Sequence, residues 1–234
     1  MTNIFYNAYK RCGYSGKIMM SAYFITAMLI VASTIIVIFQ FEAWHFGTAS
    51  PASLQLLVTV MLPLATILLA AGLFAEEFSG QLFALIWTYP FTPGRLLLER
   101  LSLLLMLMVL QLALAIVSIY WSPAQLSLQQ LWEIAYLAWP THLFLAGLSL
   151  MCSLLGRGAL AGLAGGLIFW LAETITKGTW TKALFLFQPV WPRDQVATSD
   201  NRLLLISGAV ACFVLAYGIF QLGRRYLIGK EEGN

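Results

Sequence analysis

The sequence predicts an all-α integral membrane protein with six transmembrane helices in a single domain, residues 1–234. Of the 234 residues, 60% are hydrophobic and only 10% are charged, whereas soluble domains carry roughly 25% charged residues. Long apolar runs recur along the whole chain, and no polar block between them is long enough to fold separately. A water-soluble fold could not bury so much apolar surface, so we expect the spans to face lipid.

A helix needs roughly 20 apolar residues to cross the hydrocarbon layer. Runs of this kind, bounded by charge, proline or glycine, occur at residues 18–41, 53–75, 101–120, 131–155, 159–176 and 203–222. The first run follows Lys10, Arg11 and Lys17, as in a secretory signal, but it is too long for a signal peptide and no A-x-A cleavage site follows. We therefore expect it to remain as a membrane anchor.

An even number of spans places both termini on one side of the membrane, and the basic residues indicate which side. Nine of the thirteen Lys and Arg residues fall on the terminal side, and the other four all lie in the loop between the fifth and sixth spans. Because Lys and Arg are retained on the cytoplasmic side, we expect a multi-pass protein of the cell membrane with cytoplasmic termini. The loop between these two spans also contains an apolar stretch at residues 183–191, which is expected to dip into the outer leaflet as a re-entrant segment or interfacial helix.

Several classes of function lack a basis in the sequence. The net charge of +3 is small and forms no stripe for nucleic acid. The cysteines Cys12, Cys152 and Cys212 are too far apart for a C-x-x-C pair. Residues 12–17 resemble a phosphate loop, but Arg11 and Ile18 replace the required glycine and Ser/Thr. We predict no catalytic residues, metal or cofactor, and expect any ATP to be bound by a partner chain.

Ionisable residues within spans are candidates for a polar pathway. His142 follows Pro140 in the fourth span and Glu173 lies near the end of the fifth. A histidine simply hydrogen-bonded to a neighbouring helix is the alternative for His142. Glu173 and Glu133 are expected to lie close enough to an interface to reach water.

The pair Glu76-Glu77 begins the pattern E-E-x-x-x-R of glutamyl intramembrane proteases, but Gln81 occupies the arginine position. His45 is predicted in a loop, away from His142 in the fourth span. A hydrolase is therefore the weaker interpretation.

Small residues recur at one face of the fifth span, every four positions: Gly158, Gly162 and Gly166. In lipid, this spacing lets helix backbones approach closely. We expect a tight helix contact, either within the chain or with a second protomer.

The link between the second and third spans has helical periodicity of its own. Phe78, Leu82, Leu85 and Tyr89 fall on one helical face before Pro90, and the acids Glu76 and Glu77 precede them. We predict a short cytoplasmic helix at residues 76–89. A membrane-surface linker without a partner is the alternative.

This link resembles that of ABC-2 type permeases, the membrane subunits of ATP-driven exporters. The family pattern is an acid, a glycine, an apolar helix, a proline and two basic residues, and it can be laid on Glu76 or Glu77, Gly80, Leu82, Leu85, Pro90, Arg95 and Arg100. Two departures are Phe83 and Ala84, where an acid is common, and Arg100, where lysine is usual. The six spans and the apolar segment before the last one match the family along nearly the whole chain.

The resemblance implies a transport subunit that is not itself an enzyme. The helix at 76–89 would be a coupling helix that binds an ATPase subunit, present in two copies. A second permease chain, identical or related, would complete the pathway for export of a hydrophobic or amphipathic substrate. The alternatives are a glutamyl intramembrane protease and a channel or structural subunit that works without ATP.

Overall fold

The computed structural model describes residues 21–43, 51–75, 78, 93–121, 126–192 and 197–231. Within these ranges the regular structure is entirely helical. The elements are α1 (Ala22–Ala43), α2 (Pro51–Leu56), a π-helix (Leu57–Met61), α3 (Leu62–Gly72), α4 (Pro93–Trp121), α5 (Leu128–Leu155), α6 (Ala159–Thr176), a 3-10 turn (Lys182–Leu184) and α7 (Thr198–Glu231). Because α2, the π-helix and α3 follow one another without a break, they form a single rod.

Six stretches of the described residues are long and apolar enough to cross a membrane, which confirms the predicted all-helical architecture with six potential spans. They are Ala22–Gln40, Leu54–Gly72, Gly94–Trp121, Leu128–Leu155, Ala159–Thr176 and Thr198–Leu222.

Three of these helices, α4, α5 and α7, begin three or more residues earlier than the sequence predicted, α7 at Thr198. α4 begins at Pro93, where proline is tolerated because the first helical N–H needs no partner within the helix. α5 begins at Leu128 because Ser127 and Gln130 form a capping box, in which each side chain bonds the backbone of the other residue. Capping groups, not hydrophobicity, determine this helix end.

The second and fourth spans form the centre of the bundle. Of the residues in their apolar stretches, 72% and 67% are buried, whereas the values for the first, fifth and sixth spans are 22%, 22% and 28%. α5 packs against α7, α6 and α3, and α3 also packs against α1 and α6. The peripheral helices expose large apolar side chains such as Leu29, Leu160 and Leu203. An apolar exterior of this kind is suited to lipid and unsuited to water.

The start of α1 and the far part of α7 lie at the same end of the bundle, which we call the terminal end. Tyr23 contacts Gly72 at the end of α3, and the ring of Phe220 in α7 lies 5.6 Å from that of Phe74. The opposite end contains the start of α5 and the end of α6.

At the opposite end, the chain reverses sharply after α6. Lys177 and Gly178 both have positive φ, 48° and 74°, a conformation that glycine adopts without strain. The turn directs residues 181–191 back onto the helices. This segment contains only the short 3-10 turn, so the expectation of an interfacial helix there is wrong.

Candidate functional site

A cluster of polar side chains lies among the helices that form the middle of the bundle. Thr66 of α3, Gln111 of α4 and His142 of α5 are at most 1% exposed. The Thr66 hydroxyl lies 2.8 Å from His142 Nδ1, and the Gln111 amide nitrogen contacts the Thr66 hydroxyl. We call these three residues the central triad.

The hydrogen-bond partners assign the donor and acceptor roles in the central triad. His142 Nε2 lies 3.3 Å from the Val58 carbonyl oxygen, which can only accept, so Nε2 carries the proton and Nδ1 accepts. Thr66 therefore donates to His142, and Gln111 donates to Thr66. Gln111 Oε1 is left buried without a partner, and so the triad has a spare acceptor.

The Val58 carbonyl is available because the second span is irregular at this point. In a π-helix each carbonyl accepts from the N–H five residues later, as the Leu57 carbonyl does from Leu62. Five residues after Val58 stands Pro63, which has no N–H to donate. The helix widens into the π-helix immediately before this proline. Two of its carbonyls accept from side chains: Val58 from His142, and Val60 from Trp170 Nε1 at 2.8 Å. Single π-turns of this kind occur frequently at functional sites.

A second polar cluster holds residues 181–191 against three helices. Glu173 of α6 accepts from the Thr181 hydroxyl at 2.7 Å and from the Leu186 N–H at 3.2 Å. The Leu186 carbonyl accepts from the Thr141 hydroxyl at 2.9 Å and from Arg202 at 3.3 Å. We call Glu173, Thr141 and Arg202 the Leu186 clamp.

Both charged members of the Leu186 clamp are buried, with 1% of each side chain exposed. The expectation that Glu173 reaches water is therefore wrong, because the returning segment covers it. Glu133, in contrast, is exposed. The Arg202 guanidinium also donates to the Leu137 carbonyl at 2.9 Å and to the Thr141 hydroxyl at 3.0 Å.

The glycine face of α6 packs within the chain. A Cβ atom on Gly162 would lie 2.7 Å from the Ser149 carbonyl oxygen, and one on Gly166 would lie 2.7 Å from Ile67 Cγ2. Ser149 lies where α5 crosses α6, and its hydroxyl donates to the carbonyls of Gly162 and Ile67. Gly158 has a different environment, since its Cβ would meet its nearest atom at 3.8 Å. Two of the three glycines thus allow close contact with α5 and α3.

The structure separates the residues predicted for coupling. Arg95 is exposed and forms an ion pair with Glu99 at 3.2 Å, whereas Arg100 is 3% exposed inside the bundle. His45 lies outside the described residues. So do the other predicted coupling residues, which are Glu76, Glu77, Gly80, Leu82, Leu85 and Pro90.

Sequence reasoning missed most of the residues that surround His142 and Glu173. Thr66 and Gln111 lie inside apolar runs of the sequence, and Arg202 falls in the predicted loop before the last span. Their signal is chemical: a glutamine or arginine buried in a span requires hydrogen-bond partners. No sequence pattern states which partners those are.

Among the described residues, no group of three or more His, Cys, Asp and Glu side chains could hold a metal ion. Comparisons with protein-family models, with curated proteins and with solved structures find no match to this chain.

Proposed function

We propose that this chain is the membrane subunit of an ABC-2 type exporter, which forms the pathway and binds a separate ATPase through the link between its second and third spans. The observation that carries the proposal is the order of residues in that link, from Glu76 to Arg100, on a bundle with six potential spans. In this proposal the terminal end faces the cytoplasm, and residues 181–191 lie in the outer leaflet.

The geometry at the terminal end supports the proposal because it anchors both ends of the link to α7. Before the link, the Phe74 ring lies 5.6 Å from Phe220 and 6.4 Å from Phe78. After it, a Cβ atom on Gly94 would lie 3.2 Å from the Tyr217 hydroxyl. A force applied to the link would therefore reach α3, α4 and α7 together.

The two basic residues of the pattern would then have different roles. Arg95 is on the surface, where its guanidinium can exchange Glu99 for an acid of the ATPase. Arg100 is buried and would hold α4 within the bundle. α4 also carries Gln111, so movement of the link would be transmitted to the central triad.

Co-purification followed by an ATPase assay tests the proposal. The tagged chain should retain an ATP-hydrolysing partner, and the triple variant Glu76→Ala, Glu77→Ala, Arg95→Ala should lose it or uncouple its turnover. The control is Glu133→Ala, which removes an exposed acid at the opposite end. Unchanged association and turnover in the triple variant would contradict the assignment.

The same experiment separates the alternatives. A glutamyl intramembrane protease would cleave its substrate as the purified chain alone and would lose activity on substitution of Glu76 or Glu77. A channel or structural subunit would function without ATP or an ATPase.

A further inference from the structure

Within the segment at residues 181–191, residues 185–188 are unusual because they are buried although they belong to no helix or strand. Phe185, Leu186 and Phe187 are each 0% exposed, and Gln188 is 4% exposed. Backbone groups outside helices and sheets need other partners when they are buried. Side chains of α5, α6 and α7 provide those partners.

The bonds at Leu186 have a specific polarity. A carboxylate, Glu173, accepts its N–H, while a guanidinium, Arg202, donates to its C=O together with Thr141. Glu173 and Arg202 thus bind opposite polar groups of a single residue. Recognition of an extended peptide works by the same combination of main-chain hydrogen bonds and side-chain contacts.

Burying two charged side chains costs free energy, and such groups in a membrane protein commonly have a function. Each charge lies within a potential span, and each forms a hydrogen bond with the backbone of Leu186. Arg202 Nε is buried without a hydrogen-bond partner. Replacement of such groups by apolar residues is often neutral or stabilising, and ionisable groups in spans are commonly functional.

The side chains beside Leu186 occupy an aromatic environment. The rings of Phe185 and Phe187 lie 6.0 Å apart, Trp191 lies 5.9 Å from Phe187, and Trp170 of α6 lies 6.5 Å from Phe187. These contacts would favour aromatic and aliphatic side chains next to the bound backbone.

We propose that Glu173 and Arg202 form a binding site for the backbone of apolar peptides, and that Leu186 occupies this site as an internal ligand. A peptide N–H would bond to Glu173 and the carbonyl of the same residue to Arg202, after displacement of residues 181–191. Its use in export rests on the proposed function, for which it names apolar peptides as the substrate class.

Photo-crosslinking to the purified full chain in phosphatidylcholine nanodiscs tests the site. The probe is a biotinylated peptide with the sequence of residues 183–191 and photo-leucine at the position of Leu186. The variant Thr141→Val removes one bond to the internal ligand and leaves both charges in place. It should increase labelling near Glu173 and Arg202 severalfold over the wild type.

A second probe tests the polarity of the site. The same peptide methylated on the photo-leucine nitrogen lacks the N–H that Glu173 accepts, and its labelling of Thr141→Val should be about tenfold weaker, as for the loss of one charge-assisted hydrogen bond. Glu173→Gln and Arg202→Gln, each added to Thr141→Val, should lower labelling by the unmethylated peptide to a similar extent. Asp200→Asn, at an exposed acid two positions from Arg202, should leave it unchanged.

Equal labelling by the two peptides would overturn the proposal, as would absence of labelling in Thr141→Val or labelling that persists without Glu173 and Arg202. With any of those outcomes, the Leu186 clamp would serve only to hold residues 181–191 against the helices. If a charge variant fails to fold, the two peptides still decide the matter on Thr141→Val alone. The assay contains neither ATP nor ATPase, so its failure is distinguishable from loss of ATPase association.

Discussion

At the scale of single residues, the consequence of burial depends on how many hydrogen bonds each side chain completes. His142 satisfies both of its ring nitrogens, through Thr66 and Val58, whereas Gln111 has one unpaired amide oxygen. Both side chains are buried. They should therefore respond differently when replaced by the same apolar residue.

We expect His142→Leu to lower the free energy of unfolding by about 2 kcal/mol, because the Val58 carbonyl would remain buried without its donor. Gln111→Leu should cost less than about 0.5 kcal/mol, since it also removes an unsatisfied acceptor and hydrogen bonds within membranes are individually weak. Unfolding by SDS in mixed micelles measures both. Equal losses would contradict the hydrogen-bond assignment.

At the scale of helices, close approach depends on the absence of side chains where two backbones cross. Gly162 faces the Ser149 carbonyl, and the surrounding serine bonds connect α5 to both α6 and α3. Gly158 has the same spacing in the sequence, but it precedes α6 and has room around it. Sequence periodicity alone cannot distinguish these two glycines.

The matched pair Gly162→Ala and Gly158→Ala tests this distinction. Gly162→Ala should destabilise the protein by about 1 to 3 kcal/mol because the new methyl group must displace the backbone of α5. Gly158→Ala should change stability by less than about 0.5 kcal/mol, as expected for a site without crowding. Thermal unfolding in detergent gives the comparison, and a larger loss for Gly158→Ala would refute the packing argument.

At the scale of the whole molecule, the structure shows which helix ends lie together, whereas the orientation of the bundle in the membrane is a prediction. The start of α1 and the far part of α7 both contact the end of α3. Basic residues are more numerous on that side of the predicted spans. The positive-inside rule therefore predicts that this end faces the cytoplasm.

Cysteine labelling in whole cells tests this orientation. In a background without Cys12, Cys152 and Cys212, a membrane-impermeant maleimide should label Thr179→Cys in intact cells, because this exposed position lies at the opposite end. Arg157→Cys, exposed in the turn between α5 and α6, should react only after the membrane is opened. The reverse pattern would place the termini outside the cell.

The six helical spans could be predicted because hydrophobicity is a local property of about 20 residues. The helix starts at Pro93 and Leu128 lie outside or at the edge of the apolar runs and depend on capping chemistry. His142 and Glu173 could be selected as ionisable residues in spans. Their partners Thr66, Gln111, Thr141 and Leu186 could not, since these come from distant parts of the chain.

Arg202 shows most directly where the two kinds of information differ. In the sequence, its charge marks a loop before the last span; in the structure, it lies inside α7 and bonds α5 and the returning segment. By itself the sequence determined how many apolar helices the chain contains and which residues could carry charge among them, because both depend on composition over short distances. Only the tertiary structure decided which charges are buried and what they bind, because those contacts depend on how helices far apart in sequence pack side by side.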